Sequence, residues 1–505
     1  MTTSLYARLA ARFPDPSKTF LETVEGRVIT YGDLVAESGR IAHALLKLGV
    51  KPGDRVAVQV QKSPEALLLY MACLRAGAVG LPLNTAYTLA ELAYFIGDAE
   101  PTVVVCDPKV RDAVAALPEA QGVASVETLD AAGRGSLMDR AAEEPAGFTD
   151  VARSGDDLAA ILYTSGTTGR SKGAMLTQDN LASNAEVLVD TWRFTADDVL
   201  IHALPIYHTH GLFVATNTIL MAGGSMLFLP KFDADIVLGL MPRATSMMGV
   251  PTFYTRLIDS PGLTRDVSKS MRLFTSGSAP LLAETHRAFE EKTGHRILER
   301  YGMTETNMNT SNPYEGERRA GTVGFPLPGV DLRIVNADTG ESLPQGEIGI
   351  IEVKGPNVFK GYWRMSEKTA AEFRPDGFFI TGDVAMMDSD GYVHIVGRAK
   401  DLIISGGFNV YPKEVESEID DMEGVVESAV IGVPHRDFGE GVTAVVVLEK
   451  GADLTEDAVQ SRLKDRLAAF KVPKRVFFVP ELPRNTMGKV QKNVLRDSYA
   501  DTFRV

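Results

Sequence analysis

Short apolar runs alternate with longer, helix-like segments through the first half of the chain. The run at 55–60 (RVAVQV) follows a Pro-Gly turn and predicts a short strand. The segment at 64–77 (PEALLLYMACLRAG) begins with proline and ends at glycine, which is typical of a helix. The same unit recurs as a helix at 91–100 and a strand at 101–107. This alternation predicts parallel sheets covered by helices on both faces.

A second series of apolar runs extends the α/β pattern toward residue 320. It predicts four further strands with helices between them, at 199–205, 225–230, 244–250 and 271–277. Beyond residue 320 the runs shorten, and glycine and proline separate them, which is typical of antiparallel sheet. After the segment GRAKDLI (397–403) a compact mixture of helices and strands follows.

These changes in the pattern of apolar runs and turn residues predict how the chain divides into domains. We expect a large N-terminal domain over 1–397, built from layered parallel sheets with a β-barrel-like subdomain at about 320–397. A boundary falls at 398–401, and a small α+β C-terminal domain covers 402–505.

The composition is that of a globular protein and narrows the classes of function. Of 505 residues, 45% are hydrophobic and 23% are charged, and no apolar run approaches the ~20 residues that span a bilayer. The first residues lack the apolar core of a signal peptide. Two cysteines, Cys73 and Cys106, are too few for a disulfide framework, so we expect a reducing cytoplasm and buried thiols. A formal net charge of −14 argues against a nucleic-acid partner.

The stretch ILYTSGTTGRSKGAML (161–176) begins as a strand and continues into glycines and hydroxyl residues. Backbone N–H groups of such a turn form a concave anion site, hydroxyls add neutral donors, and Lys172 adds one cation. The spacing is not that of a P-loop, G-x-x-x-x-G-K-[ST]. A plain surface loop is the alternative on these residues alone.

The string T-S-G-T-T-G-x-x-K-G at 164–173 resembles the signature of the acyl-adenylate-forming (AMP-binding) superfamily. That superfamily contains acyl-CoA synthetases, firefly luciferase and peptide-synthetase adenylation domains. Its further motifs are matched in family order at 276–280 (SGSAP), 301–306 (YGMTET), 377–383 (GFFITGD), 397–403, 405–416 (SGGFNVYPKEVE) and 483–492 (PRNTMGKVQK). The resemblance covers almost the whole chain.

The resemblance implies a nucleotide site. The residues implied to bind ATP or AMP are Thr164, Ser165, Gly166, Thr167, Thr168, Gly169, Lys172, Ser276, Gly277, Ser278, Ala279, Pro280, Glu299, Arg300, Tyr301, Gly302, Met303, Thr304, Glu305, Asp383, Ile395, Arg398 and Lys489. The implied catalytic residues are Lys489, Thr164, Lys172 and Glu305, and the implied Mg²⁺ ligands are Thr164 and Glu305.

The resemblance also implies a reaction in two steps. A carboxylate attacks the α-phosphorus of ATP and expels pyrophosphate, and the thiol of CoA then displaces AMP. Fixed donors and cations stabilise the charge that develops in the first step. Between the steps the small domain is expected to rotate about the hinge residues Lys400 and Asp401 and to withdraw Lys489. The implied CoA-binding residues are Ser405, Gly406, Gly407, Phe408 and Lys471.

The identity of the acid depends on other residues. Segments IYHTHGL and VPTFYTR, with Ser278 in the adenine turn and the polar run TNMNTSN, resemble malonyl-CoA synthetases. This implies a short pocket whose floor is Arg256, and the residues implied to bind the substrate carboxylate are His208, Arg256, Ser278 and Met303. A snorkelling surface arginine is the alternative for Arg256. Methylmalonate is an expected secondary substrate, because one methyl group changes binding only modestly.

Other interpretations of the function stay open at this point. The acid could be a different short-chain or aromatic carboxylate, or the chain could load a carrier protein. A non-catalytic nucleotide-binding protein is the alternative from another class. A lysine acetyltransferase acting on Lys489 is a further hypothesis, because acetylation removes the charge that the first step uses.

Overall fold

The computed structural model describes residues 3–164, 171–279, 281–405, 408–485 and 488–503. The chain forms two compact units, one of Met1–Asp331 with Lys354–Gly377 and one of Leu332–Val353 with Phe378–Val505. Each unit has its own sheets and its own hydrophobic core.

The first unit contains two sheets and the helices that cover them. Its strands are β1 (Thr19–Thr23), β2 (Val28–Thr30), β3 (Arg55–Gln59), β4 (Val79–Pro82), β5 (Val103–Cys106), β6 (Ser125–Thr128), β7 (Leu158–Thr164), β8 (Lys172–Thr177), β9 (Val199–His202), β10 (Ser225–Phe228), β11 (Ser246–Gly249), β12 (Leu273–Ser276), β13 (Leu298–Met303), β14 (Asn307–Ser311) and β15 (Phe325–Pro326). Its α-helices are α1 (Leu5–Ala10), α2 (Tyr31–Lys47), α3 (Pro64–Arg75), α4 (Leu89–Ala99), α5 (Arg111–Ala115), α6 (Ser136–Ala142), α7 (Gln178–Thr191), α8 (Thr218–Ala222), α9 (Ala234–Leu240), α10 (Pro251–Asp259), α11 (Ala283–Thr293) and α12 (Ser366–Ala371). A π-helix spans His210–Asn217.

The helices of this unit begin where the sequence supplies caps. The Ser63 hydroxyl accepts the Ala66 N–H, and Pro64 occupies the first turn of α3. Thr88 and Glu91 form a reciprocal capping box at the start of α4. The predicted helices at 64–77 and 91–100 are therefore confirmed, with ends that differ by one or two residues.

The first sheet has the strand order β6-β5-β3-β4-β7-β8. Its strands pair in parallel, except that β7 and β8 form an antiparallel hairpin. Helix α3 buries every one of its residues, and Cys73 and Cys106 are both buried, as expected. The predicted parallel sheet is confirmed, and its antiparallel edge places the glycine-rich stretch between two paired strands.

The second sheet has the order β15-β14-β13-β12-β11-β9-β10-β1-β2. Its centre is parallel, and its two edges are antiparallel. The four strands predicted between residues 199 and 277 are β9, β10, β11 and β12, so this part of the prediction is also confirmed. The rings of Tyr254, Phe274 and Phe289 pack edge to face in the core beneath them.

The second unit contains two further sheets. Its strands are β16 (Asp331–Val335), β17 (Gly349–Lys354), β18 (Phe379–Met387), β19 (Val393–Arg398), β20 (Ile403–Ser405), β21 (Phe408–Val410), β22 (Val425–His435), β23 (Gly439–Leu448) and β24 (Arg475–Phe478). Its α-helices are α13 (Pro412–Asp420), α14 (Glu456–Lys464) and α15 (Lys492–Ser498). One sheet has the order β16-β17-β18-β19, and the other has the order β21-β20-β23-β22 with β24 beside β23.

The segment predicted as barrel-like therefore forms a four-stranded sheet, and this sheet groups with the C-terminal segments. Arg398 ends β19, and residues 399–401 lie between β19 and β20, within the second unit. That they act as a hinge between two domains stays a prediction. None of the described helices combines the length and apolar character needed to cross a membrane.

Candidate active site

The stretch predicted to bind phosphate includes β7 and β8, which pair as antiparallel strands. Thr164 ends β7 and pairs directly with Lys172, the first residue of β8. A side chain at Gly173 would lie 2.8 Å from Ile161, so a glycine is needed where the two strands approach. Five of the predicted phosphate ligands lie outside the described residues, namely Ser165, Gly166, Thr167, Thr168 and Gly169.

Lys172 lies in a network of charged groups that links it to Glu305. Its Nζ is 3.3 Å from Glu372 Oε1 and 4.1 Å from the centre of the Tyr362 ring. The Tyr362 oxygen is 2.9 Å from Glu305 Oε1 and 2.7 Å from Glu372 Oε2. The structure thus links Lys172, the cation predicted to bind phosphate, to Glu305, the predicted metal ligand. The residues that link them, Tyr362 and Glu372, were not revealed by the sequence motifs.

Ionisation in this network follows from burial and charge. Burial, together with the negative charge of Glu305, raises the pKa of Tyr362 far above its ordinary value, so its hydroxyl stays a neutral donor. Burial would raise the pKa of Glu372, but hydrogen bonds from Lys368 and Tyr362 hold that pKa below its ordinary value. Glu372 is therefore an anion at neutral pH.

Arg300 is buried against Gly277, in the segment predicted to bind adenine. Ser276 ends β12, and Gly277 follows it; a side chain at Gly277 would lie only 2.2 Å from Arg300 Nη1. Arg300 is 3% exposed, and its Nε and Nη2 have no hydrogen-bond partner among the described residues. Burial lowers the pKa of Arg300 to about 9. At neutral pH this side chain is a buried cation, and no acidic side chain of the described residues pairs with it.

Two further groups near Arg300 are Ser278, which follows Gly277, and His210 of the π-helix. Ser278 has a left-handed backbone (φ 70°), and its hydroxyl is 3.3 Å from His210 Nδ1. His210 is buried, and burial, reinforced by the charge of Arg300, moves its pKa well below the ordinary value. The imidazole is therefore neutral. π-helices are rare and frequently lie at functional sites, and no sequence signal predicted this one.

The other predicted acid-binding residues have different surroundings. His208 is half-buried, and its Nδ1 accepts the His210 N–H at 3.2 Å. Met303 is half-buried at the end of β13. Arg256, in contrast, lies on α10 and is exposed. The structure does not bury Arg256 as the floor of a cleft, because α10 directs Tyr254 and Leu257 into the core instead. Whether Arg256 contacts the acid stays a prediction.

The remaining nucleotide motif of the first unit lies in the β13–β14 hairpin. Glu299 is buried, and its Oε1 accepts the Gly321 N–H at 3.1 Å. A side chain at Gly302 would lie 1.8 Å from the Asn307 oxygen, so only glycine permits this close pairing. The partly buried residues Tyr301 and Thr304 and the buried Glu305 follow along the same hairpin and turn. Ala279 is half-buried, and Pro280 lies outside the described residues.

The predicted ribose and catalytic residues of the second unit lie close together. Asp383 and Arg398 are paired across β18 and β19, with 2.7 Å between Oδ1 and Nε. Ile395 lies on the same strand as Arg398. The surrounding protein lowers the pKa of Lys489, and the nearby charge of Arg398 acts in the same direction.

The predicted hinge and CoA residues are also in the second unit. Asp401 forms an ion pair with Arg496, and burial lowers the pKa of Lys400 to about 8. Ser405 is buried. Phe408 is 56% exposed and stacks on Phe470 with 4.7 Å between ring centres, whereas Lys471 is paired with Glu414. Gly406 and Gly407 lie outside the described residues.

The residues predicted to bind phosphate lie in the first unit, and those predicted to bind ribose lie in the second. A family model described as AMP-binding enzyme matches residues 7–363, and one described as AMP-binding enzyme C-terminal domain matches residues 414–489. The chain therefore belongs to the AMP-binding enzyme family, and the resemblance inferred from the motifs is confirmed.

Individual relatives activate different acids. The chain is 38% identical to a feruloyl-CoA synthase from Amycolatopsis sp, with 94% of each protein covered. It is 33% identical to a malonate–CoA ligase from Arabidopsis thaliana, with 94% of this chain and 85% of that protein covered. Its fold matches the ATP-bound crystal structure of MatB from Rhodopseudomonas palustris with a TM-score of 0.98 and 66% identity over the whole of both chains.

Proposed function

We propose that this chain is an ATP-dependent malonate–CoA ligase. It converts malonate, ATP and CoA into malonyl-CoA, AMP and diphosphate through a malonyl-adenylate. Membership of the AMP-binding enzyme family and the likeness to MatB and to a malonate–CoA ligase support this reaction. The observation that carries the choice of acid is the buried Arg300 guanidinium, which lies against the adenine turn without an acidic partner among the described residues.

A dicarboxylic acid supplies a negative partner for the buried Arg300 guanidinium. Once one carboxylate is joined to AMP, malonate retains a second carboxylate. An arginine binds such a group with two parallel hydrogen bonds. Acetate or a fatty acid leaves the buried cation unpaired, which disfavours its binding. Methylmalonate adds one methyl group, worth about 1–3 kcal/mol of discrimination, so we expect partial activity with it.

We assign the nucleotide contacts to the residues of the family motifs. Lys172 contributes its ammonium to the β- and γ-phosphates, and Asp383 and Arg398 bind the ribose. Glu305 and Thr164 offer a buried carboxylate and a hydroxyl, the hard oxygen ligands that Mg²⁺ prefers, so the residues fit this ion. When bound there, Mg²⁺ neutralises charge on the phosphates. Lys489 stabilises the charge that develops at the α-phosphate.

The second step requires a change in the position of Lys489. We assign this movement to rotation at Lys400 and Asp401, since hinge residues absorb dihedral changes at the ends of elements. The exposed Phe408 and the neighbouring Ser405 are the candidates for contact with the pantetheine arm of CoA. Lys471 is a candidate for a CoA phosphate, for which it must leave Glu414.

An aromatic acid is the competing substrate, because the feruloyl-CoA synthase has 38% identity to this chain. Pyrophosphate release is measured with malonate, methylmalonate, acetate and ferulate, each with ATP and CoA. We expect the highest kcat/KM with malonate, a lower one with methylmalonate, and little turnover of acetate and ferulate. A higher kcat/KM with ferulate or acetate would show that Arg300 does not select the acid.

A further inference from the structure

The segment 359–363 joins the two arms of the phosphate site. Tyr362 forms an antiparallel bridge with Ala174 of β8, two residues beyond Lys172. Three residues earlier, the Phe359 N–H donates to the backbone oxygen of Glu305 at 2.8 Å. The segment therefore holds the hairpin that carries Lys172 and the turn that carries Glu305 in fixed register.

The side chain of Tyr362 lies between two carboxylates. Its hydroxyl is 2.9 Å from Glu305 Oε1 and 2.7 Å from Glu372 Oε2. Glu372 is in turn 3.3 Å from Lys172 Nζ and 2.7 Å from Lys368 Nζ. The side chains of Lys172 and Glu372 are 21% and 19% exposed, so their ion pair is largely shielded from water.

The backbone fixes this arrangement from both sides. Glu372 directly follows α12, and the Tyr362 N–H donates to Thr369 Oγ1 of that helix at 2.9 Å. A side chain at Gly361 would lie 2.5 Å from Thr369, so a glycine allows the segment to pack on the helix. Tyr362 and Glu372 are thus held at one distance from each other.

The network cannot satisfy all of its members at once. A hydroxyl has one proton, so Tyr362 donates to Glu305 or to Glu372 at any moment. Lys172 has one ammonium, for which Glu372 and a phosphate group compete. When Lys172 moves to a phosphate, Glu372 loses one cationic partner, and the Tyr362 hydroxyl then donates its hydrogen bond to Glu372 in place of Glu305. An oxygen of Glu305 thereby becomes available to a cation.

We propose that Glu372 is an internal counter-ion of Lys172 that the nucleotide phosphate displaces, and that Tyr362 couples this displacement to the availability of Glu305. Both are positioning residues, since they act through Lys172 and Glu305. The inference rests on the proposed nucleotide site and deepens it. The predicted consequence is that nucleotide phosphate and the divalent cation bind cooperatively through Tyr362.

The test is the affinity for ATP of the full chain, measured calorimetrically with Mg²⁺ and again with EDTA. Glu372→Gln removes the competitor for Lys172, so we expect ATP binding in EDTA to tighten about three- to tenfold. The exposed Glu367, on α12, is the matched control, and Glu367→Gln should leave ATP binding unchanged. Tyr362→Phe should reduce the gain in affinity that Mg²⁺ gives, and this reduction should disappear in the Glu372→Gln background.

Weaker ATP binding by Glu372→Gln, at an unchanged unfolding temperature, would show that Glu372 orients Lys172 productively and would overturn the proposal. Additive effects of the two substitutions would overturn the coupling through Tyr362. Should Glu372→Gln fold poorly, Glu372→Asp shortens the reach to Lys172 and should also tighten ATP binding. ATP binding needs no acid, so a chain that binds ATP but ignores malonate contradicts the proposed substrate alone.

Discussion

Replacing Arg300 by methionine is predicted to stabilise the fold and to damage malonate binding at once. Arg300 is 3% exposed, and its Nε and Nη2 lack partners among the described residues. Methionine has a similar length, carries no charge and adapts to an irregular cavity. A buried charge without a partner is costly, so its removal should raise the free energy of unfolding.

The magnitude follows from the pKa of Arg300. Burial lowers this pKa from its ordinary value to about 9. Because the folded value lies below the unfolded one, the cost of the charged form is fully present below pH 9 and falls as the pH rises above 9. The difference corresponds to roughly 5 kcal/mol as an upper bound. Relaxation and water reduce it, and we expect Arg300→Met to stabilise the chain by about 1–4 kcal/mol.

Two assays test this prediction together. Denaturant unfolding should show the gain in stability, and steady-state pyrophosphate release should show a rise of about 10²-fold or more in the KM for malonate, as loss of a buried charge pair predicts. The KM for ATP should change little. The exposed Arg265 is the matched control, and Arg265→Met should alter neither quantity. A destabilised Arg300→Met variant with an unchanged KM for malonate would refute the reasoning, because Arg300 would then have a structural partner.

Three further predictions concern other residues. Lys489→Ala should abolish malonate-dependent pyrophosphate release but spare transfer of malonate from supplied malonyl-adenylate to CoA; equal loss of both steps would contradict the proposed movement. Arg256→Met should leave the KM for malonate within a few-fold of the wild type if Arg300 alone binds the distal carboxylate. A severe rise in this KM would show that Arg256 also binds that carboxylate. Burial raises the pKa of Asp420 to about 6, above its unfolded value, so the stability that its protonation supplies is lost as the pH rises from about 4 to 6. Asp420→Asn should remove that fall in the unfolding free energy, and an unchanged pH profile would contradict it.

The regular parts of the fold were predictable because each depends on neighbouring residues. The strand at Arg55–Gln59 and the helix at Pro64–Arg75 follow from local apolar runs, a proline and a capping serine. The ordered motifs likewise identified the family, since each is a short string with fixed spacing. The π-helix at His210–Asn217 has no such local signal, and it was not predicted.

The surroundings of the residues predicted to bind the acid depend on tertiary packing, which a sequence pattern does not reveal. Arg256 stands in an apolar segment, but the helix that contains it turns Tyr254 and Leu257 inward and leaves Arg256 exposed. Arg300 was predicted only as a nucleotide residue, and its burial beneath Gly277 depends on two strands packing side by side. Tyr362 and Glu372 are about 200 residues from Lys172 in the chain, so no spacing rule connects them.

The most direct measurement is the exchange of labelled pyrophosphate into ATP, with malonate and Mg²⁺ present and CoA absent. Reversal of the first step produces this exchange only if an enzyme-bound acyl-adenylate forms. We predict rapid exchange that requires malonate, is lost in Lys489→Ala, and gives malonyl-CoA and AMP when CoA is added. Exchange that is independent of malonate, or formation of ADP in place of AMP, would contradict the assignment.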